Sequence, residues 1–252
     1  VIKYILSGLI VVLFGIGAVM FYSSSADQEN YVELESKKYV CENDIHTTSR
    51  VYVALLGLND NDSARLETRI RKLSSGDTKT KAILIYDYAP TDTLAATSAD
   101  FTTKFNQFIA TQNPDEVIIF GLSAGGTILA NSAHDLVVPK KAELHTIASP
   151  LKGFGLQGFM GYFLGDKVGL RREIGMGFAP YLPPPKNVTV YHHKTLHDSV
   201  YTGACEGSAW LCTTIVELQN NNLAGSEEFY YSDYDHIPLM EAVMEMVTRC
   251  RT

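Results

Sequence analysis

Short apolar runs alternate with amphipathic helical stretches along most of this 252-residue chain, and that alternation narrows the fold more than any other feature. Residues 51–56 (VYVALL), 82–86 (AILIY), 117–120 (VIIF), 144–148 (LHTIA), 188–192 (VTVYH) and 227–231 (EEFYY) read as strands. The segment 63–73 places Leu66, Ile70 and Leu73 at helical spacing, and 98–110 carries Phe101, Phe105, Phe108 and Ile109. A third helix is expected over 126–133. A last one is expected over 237–247, where Pro238 suits the first turn and Leu239, Val243 and Met246 share a face. Apolar strands joined by helices specify an α/β architecture, a mostly parallel central sheet with helices on both faces. Residues 154–185 break the rhythm. They are rich in Gly, Phe, Tyr, Met and Pro and end in Pro183-Pro184-Pro185, as a cap or substrate-facing insertion over about 151–186 would.

The chain divides into three parts on this reading: 1–26, a linker with a small hairpin near 31–40 over 27–49, and the α/β domain over 50–252. Tyr4 to Tyr22 carries no charge and follows a single Lys3. As a helix it would be about 28 Å long, close to the hydrocarbon thickness of a bilayer. It is expected to be a signal anchor, the alternative being a secretory signal cut after Ser24-Ser25-Ala26. Both place residues 27–252 on the extracytoplasmic side; the anchor keeps the membrane as a partner through the N-terminal segment, and cleavage would release the domain as a secreted protein. Four cysteines suit an oxidising compartment; Cys205–Cys212 and Cys41–Cys250 are the expected pairs. Their spacing with histidines matches no metal site, so zinc is not expected. Net charge is −7, and the basic stretch 65–72 reads as a solvated helix face, so nucleic acid is not an expected partner.

The third strand runs into Gly121-Leu122-Ser123-Ala124-Gly125, and a helix follows. A serine between glycines at a strand-to-helix turn is the pattern of a nucleophile elbow, with the hydroxyl exposed on a tight turn. Serine is a poor nucleophile near neutral pH and needs a base, which needs an orienting carboxylate. In such a sheet the acid follows a late strand and the histidine precedes the last helix, both at the carboxyl ends of the strands. Asp198, just past 188–192, and His236, at the start of the last helix, meet those conditions. Asp233 and Asp235 are alternative acids, and His197 is the rival base. His134 reads as a surface residue, His145 as opening a strand away from the active end, and one of His192 and His193 as packed inward. The expected oxyanion donors are the backbone N–H groups of Ala124 and Leu58, with Asn59 second.

These residues resemble the α/β-hydrolase superfamily, especially its lipase-like and esterase-like members. The resemblance covers roughly 50–251. It rests on the elbow Gly121-Leu122-Ser123-Ala124-Gly125-Gly126, on His145-Thr146-Ile147-Ala148-Ser149-Pro150, on Asp198-Ser199-Val200 and on His236. It implies a Ser123–Asp198–His236 triad working without metal or cofactor. Two departures stand out: Leu56-Gly57 replaces the His-Gly pair of many relatives, and Leu122 precedes the serine where many have His or Tyr. The expected activity is hydrolysis of carboxylic esters, with small-molecule or lipid ester substrates. Thioesters or amides would use the same machinery. A membrane-tethered binding protein that keeps the fold without activity is the reading from a different class.

Overall fold

A computed structural model describes residues 39, 47–58, 63–151, 169–170, 173–174, 187–195, 198, 223 and 225–251. The expected membrane segment 1–26, the hairpin near 31–40 apart from Tyr39, Asn59, His197, Cys41, Cys205, Cys212 and most of the insertion lie outside the described residues. Among the described residues no helix is long and apolar enough to cross a membrane.

Six strands form one sheet: β1 (Arg50–Leu55), β2 (Thr80–Tyr86), β3 (Glu116–Leu122), β4 (Lys141–Ile147), β5 (Val188–Thr195) and β6 (Glu227–Tyr231). Their order is β2-β1-β3-β4-β5-β6, and every neighbouring pair is parallel. Among the described residues the α-helices are α1 (Ser63–Leu73), α2 (Leu94–Gln112), α3 (Ala124–Ser132) and α4 (His236–Arg249). The expected parallel α/β sheet is therefore what the chain forms. Every residue of β1 and β3 is buried, which is why both read as unbroken apolar runs.

The pleat sorts side chains by parity. Val51, Val53, Leu55, Val117 and Ile119 meet Phe101 and Phe105 of α2 and Ile128 and Leu129 of α3. Tyr52, Ala54, Ile118 and Phe120 face the other way, onto Leu66 and Ile70 of α1 and Leu239, Val243 and Val247 of α4. Helix α2 begins four residues before the expected start at 98, because the Thr93 side chain accepts from the Ala96 N–H and caps it.

The amino edge of the sheet is fastened by charge. Buried Arg50 pairs with Glu116 at 2.6 Å and also with Asp77. A buried guanidinium is tolerable only with such partners. Cys250, expected to bridge to Cys41, is instead a free, half-buried thiol. The two ends of the domain do meet, but through ionic contacts: the Arg251 guanidinium pairs with buried Glu143, and the Tyr39 hydroxyl donates to the same carboxylate at 3.3 Å. Part of the expected insertion joins the core. Leu170 and Ile174 are buried, the Leu170 N–H donates to the Pro90 carbonyl at 3.1 Å, and the Glu173 carboxylate accepts from the Leu94 N–H.

Candidate active site

Strand order reverses between β1 and β3, since β2 lies outside β1 and β4 to β6 lie beyond β3. At such a switch point the connections diverge and leave a crevice at the carboxyl ends. Ser123 stands there, one residue past β3. Its φ of 52° and ψ of −122° are strained for a residue with a side chain. The turn is held by the Ser123 N–H donating to the Ile147 carbonyl at 2.9 Å and by the Gly126 N–H donating to the Ser123 carbonyl at 2.9 Å. Ser123 remains partly exposed while Leu122 and Ala124 on either side are buried. Helix α3 starts at Ala124, so its positive N-terminal end and first N–H groups face the serine.

Gly57, two residues past β1, packs against this turn. A side chain there would begin 3.3 Å from Ser123 Cβ and 3.9 Å from its Oγ. The following residue is Leu58, whose N–H was expected as an oxyanion donor. The β1 loop is thus beside the serine, as that expectation requires.

Asp198 lies three residues past β5, and His236 opens α4 after β6. The His236 Nδ1–H donates to Asp198 Oδ2 at 2.6 Å, and the two residues are only 3% and 4% exposed. With the proton on Nδ1, Nε2 is the basic nitrogen of the ring. The alternative acids have other work. Asp235 caps α4, accepting from the His236 N–H at 2.7 Å, and Asp233 accepts from the Ser232 hydroxyl at 2.9 Å. Among the described residues no three His, Cys, Asp or Glu side chains converge as metal ligands.

The remaining histidines are partly placed differently from expectation. His134 is on the surface, as expected. His145 does not open a strand; it lies within β4 and is fully buried. His192 and His193 are both buried, not one of them, because the sheet is covered on both faces. Tyr231, His193, His145 and Glu143 form a cross-strand ladder: Tyr231 hydroxyl to His193 Nδ1 at 3.1 Å, His193 Nε2 to His145 Nδ1 at 3.1 Å, His145 Nε2 to Glu143 at 3.4 Å. One pair of neutral tautomers satisfies every link, each donor pointing towards the carboxylate. Burial lowers both imidazoles from the ordinary 6.5, His193 well below it, with His145 and His192 adding to the effect. Burial alone would raise Glu143, but the His145 hydrogen bond and the Arg251 charge outweigh it and hold the carboxyl below 4.5.

These directions fix an acid sensitivity. As pH falls past about 6.5 the unfolded chain binds protons that the folded histidines refuse. Stability then drops by up to about 1.4 kcal/mol per pH unit for each. Below about 4.5 Glu143 adds a second loss, because it stays ionised in the folded state while the unfolded chain protonates. Thermal melts at about pH 7.5 and pH 5.5 should show the first fall, and His193→Gln should reduce it. An unchanged melting temperature across that interval would refute the neutral ladder.

No family model matches the sequence, and no curated protein matches it. Solved structures do. Lipase BlEst2 of Bacillus licheniformis, in its mature form, has a TM-score of 0.56 at 16% identity, over 84% of this chain and 94% of that one. The chain has the α/β-hydrolase fold. Est1E of Butyrivibrio proteoclasticus shares it with a TM-score of 0.51 at 12% identity, over 80% of this chain and 86% of that one. On this hydrolase fold one contact at the site was not read from the sequence: the Tyr88 hydroxyl donates to the Leu56 carbonyl at 2.9 Å, next to Gly57. Its only signal was a second tyrosine just past the end of β2.

Proposed function

We propose that this chain is a serine hydrolase of carboxylic esters, of small-molecule or lipid type, with Ser123 as nucleophile, His236 as base and Asp198 as its orienting carboxylate. The observation that carries the reading is the buried Asp198–His236 pair on the same sheet edge as a serine held at positive φ. Ser123 Oγ attacks the acyl carbon, and its proton passes to His236 Nε2. Asp198 stabilises the resulting imidazolium through Nδ1. The Ala124 and Leu58 N–H groups meet the negative oxygen of the tetrahedral intermediate. Collapse expels the alcohol, protonated by His236, and leaves an acyl group on Ser123. Water activated by His236 then releases the acid and restores the serine. The lipase among the structural neighbours supports this chemistry on this fold. The charge-free segment from Tyr4 to Tyr22 supports placing the domain outside the cytoplasm, tethered by its N-terminus.

One experiment addresses both parts. Cells producing the full chain are treated with a membrane-permeant or an impermeant fluorophosphonate, and the labelled peptide is mapped by mass spectrometry. Both probes should modify Ser123. Labelling by the permeant probe alone would refute the extracytoplasmic placement. Absence of labelling by either would refute the hydrolase reading.

A further inference from the structure

The last ladder partners of β1 are at Leu55, which pairs with Tyr86 and Gly121. The next carbonyl, that of Leu56, has left the sheet, and its residue is buried. It receives the Tyr88 hydroxyl at 2.9 Å. We propose that Tyr88 is a positioning residue for the oxyanion loop, its hydrogen bond to Leu56 holding the Gly57–Leu58 peptide against Ser123. This inference rests on the ester-hydrolase reading of Ser123.

The need for such a tether follows from Gly57. Ser123 Cβ would be 3.3 Å from any side chain at position 57, so the close approach of the loop to the serine favours glycine. Glycine rotates freely about its backbone bonds, so nothing within residue 57 sets the direction of the Leu58 N–H. With the preceding carbonyl held, the Leu56–Gly57 peptide plane is fixed, and the packing of Gly57 against Ser123 limits the two rotations that remain. Tyr88 is fit to hold that carbonyl. Its ring stacks on Tyr86, with centroids 6.0 Å apart and planes at 26°. The stack needs only the Tyr86 ring, because the Tyr86 hydroxyl is engaged elsewhere, its one proton shared between the Thr97 carbonyl at 3.0 Å and the Asp100 carboxylate at 2.8 Å. Burial raises the Tyr88 hydroxyl above its ordinary value of 10.0, so it stays a donor over any working pH.

The test compares Tyr88→Phe with Tyr86→Phe. Both delete a tyrosine hydroxyl and keep the ring, but only the first touches the loop. Tyr88→Phe should lower kcat on a p-nitrophenyl ester about 10- to 30-fold with KM within about twofold, as a misdirected transition-state donor does. An alkyl boronic acid, which forms a tetrahedral adduct on an active serine, should bind more weakly by a similar factor. Tyr86→Phe should lower the melting temperature and leave kcat near wild type. Wild-type kcat in Tyr88→Phe, or equal kcat losses in both variants that track their melting temperatures, would overturn the inference. A wild-type chain that no fluorophosphonate labels would overturn the hydrolase reading and this inference together. Labelling with unchanged Tyr88→Phe kinetics would overturn this one alone.

Discussion

Replacing Ser123 with alanine should reduce kcat on a p-nitrophenyl ester by about 10⁵- to 10⁶-fold, with the melting temperature almost unchanged. On the proposed mechanism the loss is large because the acyl-enzyme route disappears, leaving only oxyanion stabilisation of direct attack by water. The fold is spared because the side chain is partly exposed and the hydrogen bonds that hold the turn use only its backbone. His236→Ala should fall nearly as far, since an unassisted serine hydroxyl is almost inert. Asp198→Asn should cost about 10⁴-fold, because an amide no longer fixes the proton on Nδ1 of the ring. In the proposed triad the three act as a unit, so Ser123→Ala combined with His236→Ala should lose little beyond the worse single variant. Steady-state kinetics with burst titration of active serine measures this. Ester turnover surviving in Ser123→Ala at the wild-type rate would assign the chemistry to another residue.

Gly125→Ala should cost roughly 3 kcal/mol or more, a drop of about 6–12 °C in melting temperature, and should remove activity even in the molecules that fold. The methyl carbon would collide with the Leu55 carbonyl oxygen and lie 2.5 Å from that of Leu56 and 2.7 Å from the Leu55 carbonyl carbon. All three are backbone atoms at the end of a strand buried on both faces, so no side chain can swing aside. Relief requires β1 and α3 to separate. That movement would pull the Leu56–Leu58 loop away from Ser123, which joins the stability loss to a kinetic one. Calorimetry against wild type is the measurement. An unaltered melting temperature would mean that the elbow helix does not press on β1 as described.

Legibility followed the range of the interaction. Helix α1 and strand β6 run where their residues predict, because Leu66, Ile70 and the EEFYY run carry their own period. Helix α2 was read too short: its aromatic stripe marks the middle, while its start depends on one Thr93 hydrogen bond. His145 looked like a strand opener because the charged and polar residues before it, Lys141 and Glu143, resemble loop. They are strand residues whose charges are satisfied by Glu116 on the neighbouring strand, by Arg251 and by each other along β4. The expected Cys41–Cys250 bridge is not what joins the two ends of the domain; the contact there belongs to Tyr39, Glu143 and Arg251.

By itself the sequence determined the α/β alternation, the elbow at Ser123 and the presence of an acid and a histidine past late strands. Each of these is set by residue type and spacing over a few positions, through backbone periods of 2 and 3.6 and the freedom of glycine. Only the tertiary structure decided that Asp198 rather than Asp235 takes the His236 imidazole, that Gly57 lies against Ser123, and that Tyr88 holds the carbonyl just before it. It also decided that His145 and His193 bond to one another beneath the helices. These pairings depend on which strands become neighbours and in what register. Strand order is chosen by how whole helices and sheet faces pack together, and no local period carries that information.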